Sequence, residues 1–122
     1  MERAKVLYVD DEVINLQIMK IVLKKYYEVI TVDNGEDGLE ILDREKDISI
    51  VISDMNMPKM NGIEFVKYAK TKYPNIGYYI LTGYGINGEI ENALGDGLIL
   101  QYFKKPFDMK AIEEIISSNG LK

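Results

Sequence analysis

The 122-residue chain carries 15 basic and 20 acidic side chains, a net charge of −5, which gives it no general attraction for nucleic-acid phosphates or anionic lipid. It has no cysteine and no histidine, so disulfides, thiolate chemistry, a histidine base and a phosphohistidine of its own are excluded. This length suits one core, hence a single domain over residues 1–122 with no output domain; no apolar run reaches the ~18 residues of a membrane span, and a cytoplasmic location is expected.

Val6 to Val9 is a short, continuously apolar run that reads as a strand buried on both faces, and it ends on Asp10-Asp11-Glu12. Asp11 or Glu12 is placed to cap the helix that follows, Val13 to Lys25. Apolar residues form two stripes on that helix. Ile14, Ile18, Ile21 and Val22 are expected to cover the sheet, leaving Leu16, Met19 and Leu23 on the opposite side for a partner. Glu28 to Val32 reads as the second strand, and Asp33-Asn34-Gly35 as a turn into a helix over Glu36 to Arg44, where Gly38 implies close packing. Arg44 to Asp47 reads as a solvated connector.

Ile50 to Ser53 is the third strand and runs into Asp54. Pro58 cannot continue it, and Asn61-Gly62 is a turn pair able to take positive φ before a helix over Ile63 to Thr71, with Phe65, Val66 and Ala69 inward. Ile76 to Leu81 is the fourth strand, ending on Thr82. Glycines 83, 85, 88, 95 and 97 then surround one short helix near Glu89 to Leu94, whose intrinsic stability is low. Leu98 to Phe103 is the last strand and leads into Lys104-Lys105-Pro106. Asp108 caps a final helix with Met109, Ile112, Ile115 and Ile116 as its buried stripe.

Strands and helices alternate throughout, which predicts a doubly wound, five-stranded parallel sheet. Such sheets gather ligands at the carboxyl ends of their strands. Asp10, Asp11, Asp54, Thr82 and a lysine, 104 or 105, should therefore meet at one edge. Carboxylates so placed repel one another unless a cation joins them, and an oxygen-only site suits Mg²⁺. Asp54 is then the candidate nucleophile toward a phosphoryl group, a reaction that depends on positioning and charge neutralisation. Neither a dinucleotide-binding nor a P-loop motif is present.

The ordered set Asp10-Asp11, Asp54 with Met57-Pro58-x-Met60-x-Gly62, Thr82 and Lys105-Pro106-Phe107 resembles the receiver domains of response regulators, the CheY-like family, from Lys5 to about Ser117. The resemblance implies a flavodoxin-like (βα)5 sheet of order 2-1-3-4-5. It implies that Asp54 accepts a phosphoryl group from a sensor histidine kinase or histidine phosphotransferase. Asp11 would bind Mg²⁺ directly, Asp10 directly or through water, and the backbone carbonyl of Asn56 would complete the ligands. Lys105, which directly precedes the proline, would pair with a phosphoryl oxygen, held by a cis peptide to Pro106. Thr82 would shift toward the phosphoryl group and Tyr102 would turn inward, presenting a changed surface to a downstream protein target. Donors of this family commonly dock on the first helix, here through Leu16, Met19 and Leu23.

Two departures stand out. Gly83 replaces a common alanine, and the stretch Gly97 to Tyr102 is one residue longer than usual, which bears on the register of the last strand. Two rival readings are a Mg²⁺-dependent aspartyl-phosphate phosphatase, whose second carboxylate would be expected where Asn56 stands, and a scaffold that is never phosphorylated, which should have lost acidic or lysine residues.

Overall fold

The computed structural model describes residues 4–83, 87–105 and 108–118. Among these, strands β1 (Lys5–Val9), β2 (Glu28–Val32), β3 (Ile48–Asp54), β4 (Gly77–Thr82) and β5 (Gln101–Lys104) alternate with helices α1 (Val13–Leu23), α2 (Gly35–Arg44), α3 (Gly62–Lys72), α4 (Gly88–Gly95) and α5 (Met109–Ser118). The strands form one parallel sheet in the order β2-β1-β3-β4-β5. The doubly wound arrangement and its strand order are those expected.

Period-two alternation along the central strands divides the core. Leu7, Val9, Val51 and Ile80 point to one face and pack with Leu42 of α2, Phe65 and Val66 of α3, and Ile90 of α4. Val6, Tyr8, Ile52, Tyr79 and Phe103 point to the other, against Met19 and Leu23 of α1 and Ile112 of α5. Of the stripe expected on α5, Ile112 is buried; the side chains of Met109, Ile115 and Ile116 lie outside the described residues. Gly38 packs closely as expected, but mainly on a neighbouring helix: a Cβ there would stand 2.9 Å from the Phe65 ring.

The phase of α1 is the reverse of the one expected. Met19 and Leu23 are wholly buried and Leu16 packs half-buried beside them, whereas Val13, Ile14, Ile18 and Ile21 are 62%, 68%, 42% and 58% exposed. Apolar residues lie nearly all round this helix, so periodicity alone leaves its phase open. The side chains expected to meet a partner are in fact the core.

Element ends also moved. The last strand begins at Gln101, because Gly97 takes a φ of 74° and the amides of Leu98 and Ile99 bond back to the Ala93 carbonyl before Leu100 N joins Tyr78 O at 2.8 Å. Asn61 is extended (φ −77°) and Gly62 is helical, so neither is the left-handed residue of that loop; Lys59 is, at φ 69°. The Arg44–Asp47 connector is tied to β1, since the Lys5 ammonium stands 3.0 Å from both Glu45 and Asp47.

Truncation tests the phase of α1. Leu23→Ala should cost about 2–5 kcal/mol in urea unfolding, and Ile14→Ala less than about 1 kcal/mol.

Candidate functional site

The β1–β3 register pairs Val9 with Ser53, so Asp10 and Asp54 leave adjacent strands side by side. The chain after Asp54 is shaped to keep this edge open. Met55 N donates to Leu81 O at 2.7 Å, and Gly62 N returns to Met55 O at 2.9 Å. A Cβ on Gly62 would lie 2.4 Å from the Asp54 carbonyl oxygen, so only glycine lets α3 start so close to the strand end. Asn61 caps α3, accepting from Glu64 N at 2.9 Å while the Glu64 carboxylate accepts from Asn61 N at 2.9 Å.

Asp10 is completely buried and Asp54 is 2% exposed. The Lys105 ammonium lies 2.8 Å from Asp54 Oδ1, 3.6 Å from Glu12 Oε1 and 4.0 Å from Asp10 Oδ2. Apart from that ion pair, Asp54 Oδ1 takes up no hydrogen bond among the described residues. Three carboxylates against one ammonium leave the pocket two charges negative. Burial raises the Asp54 carboxyl from 3.8 to about 6; Lys105 opposes the rise, and Asp10 and Asp11 add to it. Burial also works against the charge on Lys105, but Asp54, Asp10 and Glu12 outweigh it and hold its pKa above the ordinary value.

Carboxylate oxygens of Asp10, Glu12 and Asp54 lie within 4.8 Å of one another. A doubly negative cluster of carboxylate oxygens, two of its three residues buried, fits a hard divalent cation. Asp11 is not in this group. It is exposed, and it lines a neighbouring cleft of about 390 Å³ with Asp33, Asn34 and Lys59. Both residues follow the end of β1 at Val9, where the chain bends into α1 and turns Asp10 inward and Asp11 outward. Glu12, which the sequence did not single out as a ligand, is exposed but reaches Asp10 and Asp54 with its carboxylate. Glu12 is also the residue before α1, but its side chain does not cap the helix; its backbone N–H donates to Asp10 Oδ1 at 2.9 Å.

Of the two candidate lysines, Lys105 enters the pocket and Lys104 is exposed. Thr82 is buried at the end of β4, and its carbonyl accepts from Lys105 N at 2.8 Å. Tyr102 is half-buried on β5 opposite Ile80. Asn56 is exposed in the loop after β3. Pro106 and Phe107, with the expected cis peptide, lie outside the described residues. Tyr8 and Asn15 are site residues that the sequence reading passed over. The Tyr8 hydroxyl donates to Asp10 Oδ2, as does Asn15 Nδ2 at 3.2 Å. A signal for Tyr8 was available, since two positions before Asp10 on a strand means the same face.

The family model of the response regulator receiver domain matches residues 6–117. The chain belongs to the receiver-domain family. Among curated proteins it is 34% identical to the response regulator protein FleR of Pseudomonas aeruginosa over 97% of this chain and 25% of that one. It is 32% identical to a chemotaxis protein CheY homolog of Campylobacter jejuni, covering 90% of this chain and 87% of that one. A receiver domain protein from Clostridium thermocellum superposes with a TM-score of 0.84 at 32% identity, covering 94% of this chain and 92% of that one. Chemotaxis protein CheY4 of Vibrio cholerae superposes at 0.86 with 28% identity, covering 95% and 98%. This receiver domain spans about a quarter of the length of FleR and of the hydrogenase regulator HoxA of Cupriavidus necator. Receiver domains are signalling modules of two-component systems. Among the described residues no helix is long and apolar enough to cross a membrane.

The raised Asp54 carboxyl gives this receiver domain a pH signature. Between about pH 4 and 6 the folded state keeps a proton that the unfolded chain has lost, so stability falls as pH rises through this window and the full penalty stands above it. With a chelator present, Asp54→Asn should stabilise the protein at pH 7.5 by on the order of 1–2 kcal/mol, with the gain shrinking toward zero near pH 4. Thermal unfolding at the two pH values measures it.

Proposed function

We propose that this receiver domain accepts a phosphoryl group onto Asp54 from a phosphohistidine on a partner kinase or phosphotransferase, with Mg²⁺ as cofactor. The observation that carries the reading is the Asp54 carboxylate itself, buried at a strand end, ionised at neutral pH and 2.8 Å from an ammonium. In the step, an Asp54 oxygen forms a bond to phosphorus as the phosphorus–nitrogen bond breaks, and the leaving imidazole takes a proton from solvent. Lys105 passes from the carboxylate to a phosphoryl oxygen and neutralises charge there. Asp10, Asp11 and Asp54 would hold the cation, joined by the Asn56 carbonyl, with the Glu12 carboxylate within reach of the same cluster. When bound, Mg²⁺ supplies neutralisation of the charge shared by the carboxylates and the transferred oxygens.

Thr82 and Tyr102 are the proposed switch. By alternation from Ile80 and Phe103 both fall on the sheet face away from α1, so a shift of the Thr82 hydroxyl toward the phosphoryl group opens room beside Tyr102. The surface so changed is the one offered to a downstream protein. Beside it α4 seats only Ile90 and Ala93 firmly in the core, which makes it the readiest helix to follow.

The donor docks on α1, through the side that is exposed. Val13, Ile14, Ile18 and Ile21 form an apolar stripe on the helix that begins three residues after Asp10. A phosphatase acting on outside substrates is disfavoured, because Asn56 stands where its second carboxylate would be needed. An unphosphorylated scaffold is disfavoured because Asp10, Asp54 and Lys105 are all in place.

Incubation with acetyl phosphate and Mg²⁺ should add one phosphoryl mass to the intact protein. Asp54→Asn and chelation should each abolish it, and undiminished labelling in either case would sink the mechanism. Ile14→Ser with Ile18→Ser should slow transfer from a histidine donor at least tenfold while acetyl phosphate labelling and thermal stability stay near wild type. Equal loss of all three would refute docking on this face.

A further inference from the structure

A carboxyl group removed from water needs hydrogen-bond partners to replace the hydration it lost. Asp10 is wholly buried and meets three: Glu12 N on Oδ1 at 2.9 Å, Asn15 Nδ2 on Oδ2 at 3.2 Å, and the Tyr8 hydroxyl on Oδ2. Of the two side-chain donors only Tyr8 is itself fully buried; Asn15 sits at the half-exposed rim. The ring of Tyr8 packs among Met19, Leu23 and Tyr79, so its hydroxyl has a fixed direction.

We propose that Tyr8 is a positioning residue for the cation site, holding the Asp10 carboxyl group aimed so that the pocket meets Mg²⁺ already assembled. This rests on the magnesium reading above. It adds a residue from inside the core, on the strand before the acidic turn. The Tyr8 hydroxyl acts on the cation only through Asp10. Losing such an orienting hydrogen bond typically lowers metal affinity 10–100-fold.

Tyr8→Phe removes the hydroxyl and keeps the ring. Titrated with MgCl2 alone at pH 7 by calorimetry, the variant should bind about tenfold more weakly than wild type, with an unfolding temperature within a few degrees. Acetyl phosphate labelling should recover to the wild-type rate at saturating Mg²⁺, a return that general damage to the fold would not allow. Unchanged Mg²⁺ affinity in the folded variant overturns the proposal and leaves the magnesium reading standing. A wild type that binds no Mg²⁺ overturns both. If Tyr8→Phe does not fold, 3-fluorotyrosine placed at position 8 alone decides: its fluorine resonance should move on saturation with Mg²⁺, and a resonance that stays fixed overturns the proposal.

Discussion

Everything at the carboxyl edge of the sheet follows from placing ionisable groups where water is scarce. Asp54 and Asp10 are buried beside each other, and a pair of like charges out of solvent destabilises the fold unless something positive stands between them. Lys105 does so here, reaching Asp54, Glu12 and Asp10 from the far edge strand. Its backbone is held to Thr82, so the ammonium is fixed to the same edge it neutralises. The compensation is incomplete, and the remaining negative charge is what makes the pocket receptive to a divalent cation.

The rest of the fold supplies rigidity for that arrangement. Continuous apolar strands, covered on both faces, leave β1 and β3 no freedom to slip, because a one-residue shift would carry Asp10 and Asp54 to the wrong side. Gly62 lets α3 begin against the backbone of Asp54, and the reciprocal Asn61–Glu64 cap fixes where that helix starts. The loop from Asn56 to Lys59 is thereby pinned at both ends, and it accommodates the left-handed backbone of Lys59.

The strand ends were legible because burial on both faces, breaker residues and charged terminators all act locally. Asp10, Asp54, Thr82 and one of the two lysines could thus be assigned to one edge from the chain alone, and the resemblance to receiver domains, whose lysine directly precedes the proline, preferred Lys105 to Lys104. What could not be read depended on three-dimensional choices. An all-round apolar helix has no preferred face until its connection to β1 sets the phase, so Met19 and Leu23 were placed outside when they are core. Asp11 and Glu12 are adjacent acids, and only the direction in which the chain leaves β1 decides which joins the cluster. Tyr8 was overlooked for another reason: within an apolar run a tyrosine reads as bulk, although its place two residues before Asp10 was a signal that its hydroxyl faces the same side.

The reversed phase of α1 changes what the surface says about recognition. Had Met19 and Leu23 been outward, the apolar patch would have sat along the rear of the helix; with Ile14 and Ile18 outward it begins at the first turn, next to the acidic pocket. A helix buried only by its inner side should carry polar residues outside, and Gln17, Lys20 and Lys24 meet that expectation. Val13, Ile14, Ile18 and Ile21 do not. Among the described residues they belong to neither core cluster, so they form an exposed apolar patch. Under the proposed phosphotransfer, proximity to Asp54 would give such a stripe a use, since a phosphoryl donor would have to come close to the carboxylate and would need a surface on which to rest.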